Sequence, residues 1–366
     1  MQLLNATRMN ANYAMGMDPS GRELLVVVVK GTFRLPHDGE EPALATEQAP
    51  LIDADQFSGE PGVSAPLYEC DYAPTKPRCD VLLNGSAYAP LGRTTRRVTV
   101  SLRVGSLSKS FDVIGNRHWV GALVGVVASS PEPFSSMPIS YDRAYGGIDS
   151  AHPDQARHRY YECNHAGVGF HHHTEREFID GTPLPNTEEN GHPIVDPRGS
   201  YSPMAFGSIA RAWHPRVQLA GTYDQKWLDD IFPFLPPDFD NRYYQAAPED
   251  QQIDYLQGGE EVVLENLTPS GCLAFRLPTI SVPVVYYRRN ADNHEAKAVI
   301  DTLMIEPDLD RFSITWRSSL PLHRNMFEVE QVLAGEMPRS WHRARELGKS
   351  YYPSLGALVA SRKSSG

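Results

Sequence analysis

Between residues 97 and 104 the chain alternates, with Val98, Val100, Leu102 and Val104 apolar and Arg97, Thr99, Ser101 and Arg103 polar. A period of two places the sets on opposite faces of an extended chain and predicts a half-buried antiparallel strand. Gly105-Ser106 then turns the chain into residues 109–114, where Phe111 and Val113 continue the inward set. Residues 24–33 (LLVVVVKGTF) are apolar and β-branched in a run, and predict a strand buried on both faces. Residues 79–83 lead into Asn84-Gly85, a tight-turn dipeptide. Further strands are predicted at 261–267, 273–277, 280–287 and 299–305, with Pro283 marking its strand as an edge. Pro307-Asp308-Leu309-Asp310 reads as a turn into 311–317, where Phe312, Ile314 and Trp316 share a face.

The middle of the chain follows another rule. Fourteen of the 30 prolines lie between Pro131 and Pro248, which excludes a regular sheet interior or a long helix there. Two short helices are predicted, 224–231 capped by Asp224, and 248–256 ended by Gly258-Gly259. The many aromatic residues imply ordered loops packed over sheets. The expected fold is mainly β, antiparallel and sandwich-like, with a long ordered loop-rich centre and a few short helices. Its zones are 1–145 (β), 146–260 (proline-rich loops), 261–327 (β of the same domain) and 328–366 (helical or flexible). The final SRKSSG is expected to fray.

Composition then removes several function classes. The net charge of −11 disfavours nucleic acid and anionic membranes, and the densest basic cluster, Arg93, Arg96 and Arg97, flanks a strand. No apolar run approaches the length of a membrane span, and the N-terminus lacks a Sec-type signal pattern. Cys70, Cys79, Cys163 and Cys272 have no paired spacing and read as buried, reduced thiols of a cytoplasmic protein.

Six of the 13 histidines (His152, His158, His165, His171, His172, His173) crowd into 22 residues beside Glu162 and Cys163. In an extended segment His171 and His173 would share a face, yet the spacing matches no standard ligand set, so no metal is expected. Gly167-Val168-Gly169 lacks the rest of a phosphate loop, and Asp238-Phe239-Asp240 lacks the glycine and glutamate of a calcium loop. Asp238 and Asp240 read as turn caps or as anchors for Arg242. No catalytic residue and no cofactor are expected. The rival reading is a hydrolase or metal-dependent enzyme using the histidine-rich segment or the Asp238/Asp240 loop.

Several segments in series resemble one known family. They are 29–33 (VKGTF), Lys76-Pro77 with Asp80-Val81, 141–147 (YDRAYGG), 164–170 (NHAGVGF), 184–188 (LPNTE) and 211–216 (RAWHPR). The series continues through 221–224 (GTYD) with Trp227, 235–240 (LPPDFD), 247–252 (APEDQQ) and 258–260 (GGE). Together they resemble a bacterial family, catalogued as a domain of unknown function, that accompanies type VI secretion genes. The resemblance spans about residues 20–320 and departs where His165 and Val168 replace a usual Pro and Arg. It implies a non-enzymatic adaptor or chaperone that holds an effector and helps load it onto the VgrG spike or PAAR tip. Candidate contacts are Arg211, Trp213, Arg216, Trp227, Asp238, Phe239, Arg242 and Tyr243, the residue types that dominate interfaces, with Asn164, His165 and Phe170 as loop candidates. The expected partner is therefore a protein, without nucleic acid, membrane insertion or an obligatory small molecule.

Overall fold

The computed structural model describes residues 1–364 apart from Asp38, Val124 and Asn290. From the N-terminus, β1 spans Gln2–Asn5, β2 Asn10–Met17 and β3 Glu23–Arg34. β4 (Cys79–Leu83) runs into β5 (Gly85–Tyr88), and β6 (Arg97–Val104) into β7 (Leu107–Ile114). The long middle contributes the two-residue strands β8 (Thr187–Glu188) and β9 (Gln252–Ile253). Then come β10 (Glu261–Glu265), β11 (Cys272–Arg276) and β12 (Pro283–Arg288). The last strands are β13 (His294–Lys297), β14 (Val299–Glu306), β15 (Arg311–Pro321) and β16 (Val329–Ala334).

These build three main sheets, ordered β9-β4-β14-β15-β3-β2, β8-β7-β6-β10-β11 and β1-β16-β12-β13. The fold is mainly β and largely antiparallel, as the alternation predicts, with parallel pairings at β4/β14 and β1/β16. The β6–β7 hairpin follows its pattern closely, since Val98, Val100, Leu102 and Val104 all point into the core. That core lies between the first two sheets, where Phe312 of β15 stacks on Phe33 of β3 (5.1 Å) and meets Phe275 of β11 (5.2 Å). β3 is buried along both faces, as its sequence predicts.

Four local readings need correction. Asn84-Gly85 does not close a hairpin: Asn84 donates to Leu67 O (2.8 Å), and β5 leaves to pair with Ser136–Ile139. Pro283 does not mark an edge, because β12 lies between β16 and β13; the proline sits at the first residue, where a missing N–H is tolerated. Residues 248–256 form one 3-10 turn (Glu249–Gln251) and then β9, because the buried Gln251 amide reaches Val81 O (2.7 Å) and Phe206 O (2.9 Å). The middle carries the short helices α1 (Arg176–Ile179) and α2 (Gln225–Asp230), and after 327 the chain forms β16 before helices α3 (Arg339–Glu346) and α4 (Leu355–Ser364). Residues 361–364 of the expected frayed tail thus continue α4, and Ser365 and Gly366 lie outside the described residues.

All four thiols are free, but only Cys79 is fully buried, and Cys272 is exposed. Among the described residues no helix is long and apolar enough to cross a membrane.

Candidate functional site

The two faces of the six-stranded sheet carry different chemistry. One face, with Val27, Val29, Leu303, Ile314 and Trp316, belongs to the main core. On the other, Lys30 of β3, Thr315 of β15, Thr302 of β14 and Asp80 of β4 stand in register as a polar row across four strands. The segment around residues 49–71 roofs this row and leaves a cavity of ≈ 200 Å³. Every ion around it has a partner. Lys30 pairs with Asp71 (2.9 Å), Lys76 with Asp80 (2.8 Å), Arg311 with Glu306 (2.7 Å) and Arg317 with Asp301. Burial opposes the charge on Lys76, yet Asp80, Asp301 and Glu69 raise its pKa above the ordinary lysine value. Burial and the bond to Glu306 (2.5 Å) push the Tyr68 phenol up to about 12.

Sequence reasoning missed this face. The signal was present in the alternation of Ser313, Thr315 and Arg317 with the apolar residues of β15, where polar ordinarily means outward. Here both faces are covered.

Most of the expected contact residues instead hold the middle segment together. Trp213 is 2% exposed and packs edge-on to Tyr141 (5.6 Å), and Phe239 is likewise buried. Arg216, 3% exposed, donates to Tyr243 O and Ile209 O (both 2.8 Å) and pairs with Glu69. Half-buried Arg211 bridges Asp55 (2.9 Å) and Glu69 (2.7 Å), and Tyr243 lies beside both guanidinium groups. Within the chain these residues, expected from the sequence as partner contacts, act as fastenings of the middle segment. Asp238 and Asp240 cap turns, as expected. Asp238 accepts from Thr222 N (3.0 Å) and Oγ1 (2.7 Å), while Asp240 accepts from Arg242 N (2.8 Å) and pairs with its guanidinium (2.7 Å). Each carboxylate serves its own turn, and neither lines the cavity over the polar row.

Trp227 marks the surface feature that remains. It lies on α2 (Gln225–Asp230), capped by Asp224, which accepts from Trp227 N (2.8 Å). The indole N–H donates to Phe234 O (2.9 Å). Tyr223 (53% exposed) and Phe232 (62%) pack edge-on to the indole at 4.8 and 5.6 Å, and Leu228 (53%) and Phe234 (47%) of the same loop also present apolar surface to solvent. The neck of this loop is closed, since Asp240 N donates to Leu219 O (3.0 Å) and Asp238 holds Thr222. Phe234 also packs against the β2–β3 turn at Gly21, whose φ of +83° and lack of a Cβ admit the ring.

The loop candidates divide. Asn164 is fully buried, and its amide donates to Tyr141 O (2.8 Å) and Tyr145 O (3.0 Å). That clamp explains why the YDRAYGG and NHAGVGF segments occur together: Tyr145-Gly146 pairs in parallel with Val168-Gly169. A Cβ at Gly146 or Gly147 would strike the carbonyl of Asn164 or Gly167. His165 is half-buried against Tyr160 (4.4 Å), and Phe170 is half-buried against Tyr161 (5.6 Å). The histidines gather only in part, with His172 edge-on to His173 (5.2 Å). His171 meets Thr182 Oγ1 (3.3 Å), whereas His173 turns to Asp149 (3.2 Å) and stacks on His152 (5.5 Å). Among the described residues no three His, Cys, Asp or Glu side chains form a ligand-like group.

A family model described as an uncharacterized protein conserved in bacteria, DUF2169, matches residues 20–317. The chain belongs to that family. The match takes in the polar row, the α2 loop and the Asn164 clamp, while β1, β2 and β16 of this DUF2169 protein fall outside it. No curated protein and no solved structure matches the chain.

Proposed function

We propose that this DUF2169 protein is a non-enzymatic adaptor that binds a client protein through the α2 loop. The carrying observation is the exposure of Tyr223, Leu228, Phe232 and Phe234 within twelve residues, on a loop whose neck is already closed. Solvent-facing apolar clusters of this kind mark interaction sites more often than they serve the fold. A pre-ordered loop also lowers the entropy lost on binding. The specific setting is the type VI apparatus, in which the client is an effector and the destination the VgrG/PAAR spike. The ordered series of family-like segments supports that setting.

The test is quantitative affinity purification from the producing bacterium, comparing the natural chain with a Leu228→Ser/Phe232→Ser variant. The natural chain recovers the effector or a spike protein. The variant, melting at an unchanged temperature, recovers it with affinity lower by about tenfold or more, as for central apolar interface residues. Equal recovery by the two chains, or no effector or spike protein with either, rejects the proposal.

A further inference from the structure

The sheet β1-β16-β12-β13 ends in a strand whose backbone faces two ways. β13 (His294–Lys297) meets β12 on one side and no strand on the other. Opposite residues of an antiparallel pair alternate between exchanging two backbone bonds and exchanging none. Ala298 N donates to Val282 O (2.9 Å), and the same register sets Ala296 opposite Val284 and His294 opposite Tyr286. Those residues therefore turn their N–H and C=O groups toward β12. Glu295 and Lys297 turn theirs outward, where no described group meets them.

The side chains divide in the same way. Ala296 packs against the main core, and the His294 ring lies beside Tyr286 (5.9 Å). Glu295 and Lys297, opposite Val285 and Pro283, stand on the other face. Both are exposed, and neither has an ion partner among the described residues. A lone lysine on an edge strand ordinarily keeps other strands away. Here a carboxylate two residues earlier on the same face offsets it. No other terminal strand of the three main sheets carries such a pair: β1 and β2 have no charged residue, β11 has Arg276 alone, and β8 and β9 are two residues long.

An antiparallel copy of β13 can meet this edge in few registers. Glu295 opposite Glu295, or Lys297 opposite Lys297, sets like charges together and is destabilising. Setting Glu295 opposite Lys297 of a second copy leaves the two Ala296 residues facing across a two-fold axis. That register bonds the outward N–H and C=O groups of both residues and forms two cross-strand Glu–Lys pairs. It also repeats itself under rotation, as a closed two-fold contact requires. The unbonded position, where the backbones approach closest, falls on the small alanine. We propose that β13 pairs in this register with β13 of a second copy, joining two four-stranded sheets into one continuous sheet. The contact is separate from the α2 loop, so the dimer displays two such loops whatever they bind.

Sedimentation velocity of the full-length protein over a concentration series tests the proposal. Each chain carries a net charge of −11, so the buffer holds about 0.15 M salt, which screens the general repulsion beyond about 8 Å. A short edge contact of this kind is expected to be half dimeric at about 0.1 mM. Glu295→Lys and Lys297→Glu each create two like-charge pairs and should weaken the dimer by about tenfold or more, with unchanged thermal unfolding. An equimolar mixture of the two variants regains Glu–Lys pairs and should dimerise again. The doubly exchanged Glu295→Lys/Lys297→Glu chain, whose net charge is that of the natural one, should dimerise as the natural chain does. A natural chain that stays monomeric to about 0.5 mM overturns the proposal. So does a dimer indifferent to both single variants, which would use another surface, or one that neither the mixture nor the double exchange restores. A client lost from affinity purification does not bear on these outcomes.

Discussion

A single amide shows how little the identity of a residue reveals of its duty. Asn164 belongs to a glycine-rich segment that reads as a loop available to a client, yet it is a clamp on carbonyls 19 and 23 residues upstream. That role was not legible, because nothing local specifies which distant carbonyls a buried amide will meet. Replacing it with leucine leaves the buried carbonyl of Tyr145 without its side-chain donor, at about 1–3 kcal/mol, and leaves Tyr141 O only its longer bond from Ala144 N (3.3 Å), a loss of about 1 kcal/mol more. We expect Asn164→Leu to lower the urea midpoint by an amount equivalent to about 2–4 kcal/mol in total. His165→Ala beside it, at a half-buried position whose ring bonds the backbone only at Glu162, should shift stability by about 1 kcal/mol or less. A neutral Asn164→Leu would show that the clamp is not structural.

At the scale of elements, period-two patterning was the reliable signal, because burial of one face fixes the register of a strand such as β6. It failed where tertiary partners decided. Val329, Val332 and Leu333 have helical spacing, but the segment lies between β1 and β12, from opposite ends of the chain, and is held extended by their ladders. The layer built from residues 141–188 carries its own pH signature. Burial lowers the pKa of His171 despite the neighbouring Asp149, and burial with the nearby His214 lowers that of His165. Both groups bind protons less readily when folded, so stability is full above the ordinary value of 6.5 and declines as pH falls below it. Asp149 acts in a lower window. Burial opposes its ionisation, but the N–H groups of His173, Ala151 and His172 outweigh it and hold the carboxyl below its usual 3.8. Its contribution is present above 3.8 and lost as pH falls through the lowered value. Protection factors at Tyr161 and Phe170, taken against the intrinsic exchange rate at each pH, should therefore fall below pH 6.5, before the central sheets respond, and His171→Gln should flatten that step. Uniform loss of protection across all three sheets would contradict this.

For the whole molecule, the family boundaries and the folding unit differ, and the difference can be tested directly. Residues 20–317 contain the central strands but exclude β1, β2, β16 and the end of β15. Without β2, which pairs with β3 from Asn10–Lys30 to Met17–Glu23, the run of Leu24 to Val29 becomes an unprotected apolar edge. Such an edge is a template for aggregation. Without β16, strand β12 keeps only β13, and a two-stranded ribbon is marginal in water. Val284 and Tyr286, both 0% exposed, would also lose Ala334 and Val332, their cross-strand partners. A chain trimmed to 20–317 is thus expected to aggregate or to melt without a cooperative transition. Removal of residues 350–366 alone leaves every sheet intact and should retain one sharp transition. Differential scanning calorimetry on the two trimmed chains separates the cases. A soluble 20–317 chain with a cooperative melt would show that the terminal strands are additions to the fold and not part of its closure.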